Sequence, residues 1–411
     1  MLFKNIKELI VGDSSLNKAI TGNQLGELKR INNAWLLTEG DQIKDFGNME
    51  SLPSELEEIE SLDAAGKFIL PTWIDSHTHL VFAKSREEEF EMRLKGKTYE
   101  EIAMAGGGIL NSAKKLQDCN EDELFESAFE RLNDLIRLGT GGIEIKSGYG
   151  LNVNAELKML RVIQRLKKVS PIPIKASFLG AHFYPLDYKS NHQKYIDIII
   201  QEMLPKIADE NLADYIDAFC EKVAFSAEET EQIIKAGSEY GLKAKIHTNQ
   251  FNSMGGIEVC VKHDAISVDH LEVANEAEIE LLSKSNTIAT LLPSAPFFLN
   301  DPYQPARELI DANVKIALAS DLNPGSSPSG NMNLVVALAC IKLKMTPEEA
   351  INAATINGAF ALELENKYGS IQVGKKANFI LTKKIPSLAY IPYAFGSNLI
   401  DQVYINGKKF N

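Results

Sequence analysis

The sequence predicts an α/β protein, a (β/α)8 barrel of the TIM type with a small β-sandwich domain built from both termini. Three observations predict it. From Ile69 onward, short apolar runs alternate with longer helix-like segments, the pattern of βα units around a parallel sheet. The runs are Ile69–Asp75, Gly142–Ser147, Pro173–Gly180, Tyr215–Cys220, Leu242–His247, Ala265–His270, Ile288–Pro293 and Val314–Ser320, which fills an eight-stranded barrel. Each gap leaves room for a crossover helix, and the longer first gap must hold extra structure. Strand-like runs without such helices lie near the two ends.

At the amino end, Leu2–Val11, Ala34–Leu37 and Gln42–Phe46 read as strands; at the carboxyl end, Ala377–Thr382 and Leu399–Ile405 do, with Asn406-Gly407 as a turn. Segments 1–66 and 366–411 are each too small for a core of their own. They are therefore read as two parts of one β-sandwich domain beside a barrel of residues 67–365. Within the barrel, Asn120-Glu-Asp-Glu123 opens a helix running toward Arg137, and Thr346-Pro-Glu-Glu349 caps another with proline in its first turn.

With 411 residues and 45% apolar content, the chain can bury a large core. A net charge of −13 argues against a nucleic-acid surface, which needs clustered Lys and Arg. Met1–Glu8 is interrupted by charge and holds no signal-peptide core, and the apolar helical stretch Leu334–Ile341 is too short to span a bilayer. The expectation is a cytoplasmic protein with no nucleic-acid or membrane partner. Cys119, Cys220, Cys260 and Cys340 are scattered without a Cys-x-x-Cys pair and read as reduced structural thiols.

If the barrel forms, catalysis belongs at the carboxyl ends of its strands. His77 and His79 follow the first run, two positions apart and so on one face of an extended chain. His182, His247 and His270 each end an apolar run, and Asp321 closes Ile316–Asp321. Any one of these alone reads as a hydrogen-bonded structural side chain. Together they put five of the seven histidines and an aspartate on one rim, which points to a site. His192 and His263 lack such a position and are assigned to the surface.

Metal chemistry accounts for the set. A catalytic zinc site takes imidazole nitrogen and carboxylate oxygen and keeps one position for water, so His77, His79, His247 and Asp321 are expected to hold one divalent metal per chain. Zinc is the first choice; iron accepts the same donors. Such an ion lowers the pKa of bound water toward neutrality. A hydrolase follows, in which Asp321 takes the water's proton and His270 donates to the developing oxyanion. Lys146 shares a strand face with Glu144; a second metal bridge is conceivable there, but a buried ion pair is the simpler reading.

The order His77-x-His79, His247, His270, Asp321 resembles the amidohydrolase superfamily. Longer stretches are similar to its imidazolonepropionase family, which acts in histidine degradation: Ser85–Arg93, Ala105–Ile109, Glu144–Gly150, Phe178–His182 and Leu318–Pro328. The resemblance implies hydrolysis of the cyclic amide of 4-imidazolone-5-propanoate to N-formimidoyl-L-glutamate, by a homodimer. It also implies that Arg86 binds the substrate's propionate through its guanidinium fork, that Tyr149 hydrogen-bonds the same carboxylate, and that His182 contacts the ring. Asn323, Gly325 and Ser326 would contact substrate and product. Gln250 stands where some members of the family carry a carboxylate; it can hydrogen-bond the ring but cannot act as a base, so the proton passes to Asp321.

Unaided, Arg86 reads as a surface arginine pairing with Glu87–Glu89, Tyr149 as a packed aromatic, Asn323–Ser326 as a turn and Gly106–Gly108 as a flexible loop. Two other functional readings stay open. One is another mononuclear amidohydrolase, acting on a purine or pyrimidine, for which Arg86 and Tyr149 would be idle. The other is a catalytically silent barrel that binds a carboxylated ligand.

Overall fold

The computed structural model describes residues 1–411 except 13–17, 57, 98–100 and 102–106. In chain order the strands are β1 (Leu2–Ile10), β2 (Arg30–Glu39), β3 (Gln42–Asn48), β4 (Ser61–Asp63) and β5 (Phe68–Pro71). Then come β6 (Trp73–Asp75), β7 (Thr140–Lys146), β8 (Ile174–Ala181), β9 (Tyr215–Cys220), β10 (Lys243–Thr248), β11 (Ser267–His270), β12 (Ile288–Leu291) and β13 (Ile316–Leu318). The last three are β14 (Phe379–Thr382), β15 (Ile400–Ile405) and β16 (Lys408–Phe410).

Strands from both ends of the chain make one sheet, in the order β16-β15-β14-β5-β1-β2-β3, with β4 on β1. It curls until β3 meets the segment before β14, where Ile43 donates to the carbonyl of Lys375 at 2.9 Å and Gln42 bridges Lys376. The two facing halves act as the layers of a sandwich. Between them Phe3 meets Phe379 and Tyr404 edge-on, with ring centroids 5.2 and 5.0 Å apart, beside Ile6, Leu36 and Ile69. The Asn406-Gly407 turn joins β15 to β16 with φ positive at both residues, the twist a two-residue hairpin requires.

The expected single strand Ile69–Asp75 is two strands in two sheets. Proline at 71 has no N–H to extend a ladder. Up to that point the chain pairs with β1 and β14; at Trp73 the backbone N–H turns to the carbonyl of Gly139, 2.9 Å away, and β6 pairs with β7. Thr72 is thus the step between the strand paired in the terminal sheet and the first strand of the barrel.

The other seven runs form β7 to β13, which with β6 make eight parallel strands in sequence order. Helices occupy the gaps, and the long first one holds Glu87–Leu94, Ile109–Asp118 and Glu121–Arg137. The Asn120 side chain accepts from the Glu123 N–H, and Thr346 forms a capping box with Glu349 around Pro347. The barrel closes just beyond the ends of β6 and β13. Asp321 N–H donates to the His77 carbonyl at 3.0 Å, and His79 N–H to the Leu322 carbonyl at 2.8 Å. Below this seam, the two oxygens of buried Asp75 accept from the Ser320 N–H at 2.9 Å and the Ser320 hydroxyl at 2.6 Å.

The first and last strands are therefore held together by the segments that carry His77, His79 and Asp321. Replacing Ser320 by alanine strips one donor from a buried carboxylate, a loss of about 1–3 kcal/mol. We expect Ser320→Ala to lower the urea midpoint at unchanged slope; an unchanged midpoint would show that the seam does not depend on this contact.

Candidate active site at the barrel mouth

Beyond β6 the segment Ser76–His79 runs on between β7 and the segment after β13, with a single bridge from Thr78 to Leu322. Thr78 donates its hydroxyl to the Glu144 carbonyl at 2.6 Å and accepts the Lys146 N–H at 2.9 Å through its own carbonyl. This extension turns the side chains of His77 and His79 toward the barrel axis, where His247 from β10 meets them.

The donor atoms converge. His79 Nε2 and His247 Nε2 lie 3.2 Å apart, and Asp321 Oδ1 is 3.5 Å from His77 Nε2 and 3.6 Å from His79 Nε2. A tetrahedral shell with metal–ligand distances near 2.0–2.2 Å has edges of roughly 3.4 Å, so these spacings fit one ion. His77 Nε2 is buried without a hydrogen-bond partner, as a nitrogen kept for a metal would be. His270 joins His77 and Asp321 in a second group whose donor atoms lie within 4.8 Å of one another.

What aims the imidazoles is a layer of buried carboxylates beneath them. Asp269 Oδ2 accepts from His77 Nδ1 at 2.7 Å, and Asp217 accepts from His247 Nδ1 at 3.1 Å. Each bond fixes the tautomer that leaves Nε2 free to bind a metal. Burial first, and the nearby cation of Lys146 with the other imidazoles, hold the pKa values of His77, His79 and His247 well below the usual imidazole range. The three rings are therefore neutral, the form in which imidazole can bind a metal.

The carboxylates are compensated in turn. Lys146 Nζ lies 2.8 Å from Asp217, 2.7 Å from Glu144 and 3.6 Å from Asp269; Lys245 donates to Ser267 at 2.7 Å and approaches Glu144 at 3.4 Å. All of these side chains are fully buried. Burial pulls the Lys146 pKa down, but Asp217, Glu144 and Asp269 outweigh it and raise it, so the ammonium stays charged. Lys146 is thus the buried ion pair expected from its strand face.

A cavity of about 500 Å³ opens above this cluster. Of the sequence-selected residues, His79, Arg86, Tyr149, His182, His247, Gln250, His270, Asp321, Asn323, Gly325 and Ser326 line it; His77 lies deeper. His182 Nδ1 donates to the Gly148 carbonyl at 3.0 Å, leaving Nε2 as an acceptor, and burial pulls its pKa down to about 4. His270 goes the other way. Burial opposes its charge, but Glu272, 3.3 Å from Nδ1, pushes its pKa up to about 9. One histidine accepts and the other donates.

Both His270 and Asp321 have positive φ, 92° and 54°, which non-glycine residues seldom adopt; strain of this kind gathers at functional sites. Burial pushes the Asp321 pKa up to about 6. Its Oδ2 accepts from the Ser326 hydroxyl at 3.3 Å. Asn323 builds the adjoining rim: its Oδ1 accepts from the Gly325 and Ser326 N–H groups at 2.8 and 2.7 Å, and its Nδ2 donates to the Asp321 carbonyl at 2.7 Å. The N–H of Gly325 is thereby engaged inside the turn.

Arg86 Nη2 donates to Glu89 at 2.5 Å, the pairing an unaided reading gives, yet its Nε is buried without a partner. Tyr149 is nearly buried, with its ring centroid 5.5 Å from that of His182, and burial raises its phenol pKa. Glu89 also accepts from the Gly108 N–H at 2.9 Å. Gly106 of the glycine run lies outside the described residues. His192 and His263 pair with Glu229 and Glu231 away from the cavity.

Sequence reasoning missed Asp217, Asp269, Glu272 and Glu221. The first two sit inside runs read as apolar, but their alternation with core residues, as in Tyr215-Ile-Asp217-Ala-Phe219, marks one face of a barrel strand and was the available signal.

The chain matches the model of the family described as Amidohydrolase family over residues 68–410. An imidazolonepropionase of Christiangramia forsetii is 56% identical to it, covering 99% of this chain and 99% of that protein. One of Flavobacterium johnsoniae is 58% identical with the same two coverages. Among solved structures, a mutant of atrazine chlorohydrolase from Arthrobacter aurescens TC1, complexed with zinc and atraton, shares the fold. Its TM-score is 0.70 at 15% identity, over 99% of this chain and 94% of that one.

If the buried carboxylates orient the ligands, Asp269→Asn should weaken divalent-metal binding by about 10–100-fold. Chelator competition measures this, with circular dichroism to check the fold. Unchanged affinity in a folded variant would remove Asp269 from that role.

Proposed function

The chain belongs to the amidohydrolase family, and from that premise we propose the reaction of its barrel mouth: hydrolysis of the cyclic amide of 4-imidazolone-5-propanoate to N-formimidoyl-L-glutamate. One observation carries the reading. A single cavity holds a hydrolytic cluster and a guanidinium with an unpartnered buried N–H, in a chain 58% identical over nearly its whole length to an imidazolonepropionase.

His77, His79, His247 and Asp321 hold one divalent ion, zinc before iron. When bound, the ion supplies Lewis acidity, polarising the carbonyl and lowering the pKa of a water toward neutrality. Arg86 takes the propionate through its guanidinium, whose buried Nε–H has no other partner, with Tyr149 donating its hydroxyl to the same carboxylate. His182 Nε2 and Gln250 hydrogen-bond the ring. Asn323, Gly325 and Ser326 contact substrate and product from the rim.

Asp321 takes the attacking water's proton and returns it to the ring nitrogen as the amide C–N bond breaks. His270, protonated and held by Glu272, donates to the oxyanion that develops on the carbonyl. Purine and pyrimidine substrates carry no propionate and leave Arg86 without a role.

The proposal extends to a cytoplasmic homodimer, each chain made of a hydrolase barrel (67–365) and a β-sandwich domain (1–66 with 366–411). Among the described residues, no helix is long and apolar enough to cross a membrane.

The direct test incubates the zinc-loaded protein with freshly made imidazolone propionate, follows ring absorbance, and runs a purine and a dihydropyrimidine alongside. Loss of ring absorbance with imidazolone propionate alone is the expected outcome; turnover of the purine or dihydropyrimidine instead would overturn the reading. His270→Ala should keep its metal and lose about 10²–10³ in kcat. Arg86→Ala should chiefly raise KM. Metal loss in the first variant, or an unaltered KM in the second, would contradict the assigned roles.

A further inference from the structure

Of the charged groups that line the cavity and that the reaction above does not use, Glu89, Arg93 and Glu221, only Glu221 has a buried side-chain atom that no partner meets. Asp217, Phe219 and Glu221 occupy alternate positions along β9 and just past its end, so they share the inward face. Asp217 reaches His247; the Phe219 ring centroid lies 6.0 Å from that of His247 and 6.1 Å from that of His182; Glu221 follows at the rim and lines the same cavity.

Only 1% of Glu221 is exposed, and its two oxygens have different fates. Oε1 accepts from the N–H groups of Phe251 at 2.8 Å and Asn252 at 3.2 Å, pinning the loop that carries Gln250. Oε2 is buried without a partner, and among the described residues no ion pair reaches this carboxylate. A buried carboxylate oxygen left bare costs free energy, and an exception of this kind calls for a reason. Gln250 beside it is uncharged, so the anion on this part of the rim is Glu221.

We infer that Glu221 is a further substrate- and product-binding residue, whose Oε2 faces the N–C–N edge of the ring and pairs with the formamidinium created when the ring opens. The inference rests on the proposed reaction, and its chemistry follows from atom balance. Hydrolysis breaks the amide C–N bond, adds hydroxyl to the carbonyl carbon and places a proton on the released nitrogen. The new carboxylic acid then gives its proton to the more basic amidine. An uncharged ring edge thereby becomes a delocalised cation with N–H donors, matched to a carboxylate that has one oxygen to spare.

The test compares two ligands by calorimetry on the zinc-loaded protein: N-formimidoyl-L-glutamate, which is cationic at that end, and N-formyl-L-glutamate, which has the same two carboxylates and a neutral formamide. The unaltered protein should favour the formimidoyl compound by about tenfold or more, the scale of one hydrogen bond to a charged group. Glu221→Gln keeps an amide oxygen for the Phe251 and Asn252 N–H groups; it should bind N-formyl-L-glutamate as before and lose the preference. Glu221→Ala, which also frees the loop, should weaken both ligands.

A preference retained in Glu221→Gln overturns the inference. So does an unaltered protein that opens imidazolone propionate yet binds the two ligands equally, a result that needs no variant to fold. A protein that neither opens that ring nor binds either compound overturns the proposed function, and this inference with it.

Discussion

The buried ammonium of Lys146 is the interaction on which the site depends. Beneath the barrel mouth three carboxylates, Glu144, Asp217 and Asp269, face two ammoniums, Lys146 and Lys245. Lys146 touches all three carboxylates, and two of them hold the rings of His77 and His247. Removing one partner of such a buried network costs about 3–5 kcal/mol, because the remaining charges lose their compensation far from water. The layer leaves one negative charge in excess, and Asp321 adds another at the rim. A divalent cation is the natural complement of that field.

The same economy of placement runs through the rest of the rim. Barrel closure is made by the backbone of the residues whose side chains converge on the ion position, so the site is held where the first and last strands meet. Positive φ at His270 and Asp321 stores strain that the surrounding hydrogen bonds sustain. Glu272, itself held by Gln304 at 2.9 Å, keeps His270 a donor, while burial and the Gly148 carbonyl keep His182 an acceptor. Two imidazoles in one cavity thus hold opposite protonation states, set entirely by what each ring touches.

Much of this was legible in the sequence. His77, His79, His182, His247, His270 and Asp321 each follow an apolar run, and a barrel topology turns that one-dimensional regularity into a common rim. Asp217 and Asp269 were not singled out: their alternation with core residues was visible, but the partners that give a buried carboxylate its reason were not, Lys146 being 71 residues from Asp217. The break at Thr72 was equally hidden. Phe68–Ile74 is apolar but for Thr72, and which sheet claims each half depends on β14 and on Gly139, far along the chain. The role of Arg86 came from family resemblance; composition alone gives the Glu89 pairing that the structure also contains.

The most direct measurement is X-ray absorption at the zinc edge on the zinc-loaded protein. The account requires one ion per chain in a shell of nitrogen and oxygen at about 2.0–2.2 Å, with the outer-shell scattering of three imidazoles. A sulfur scatterer at about 2.3 Å, or a shell unaltered in His77→Ala, would place the ion elsewhere and contradict it.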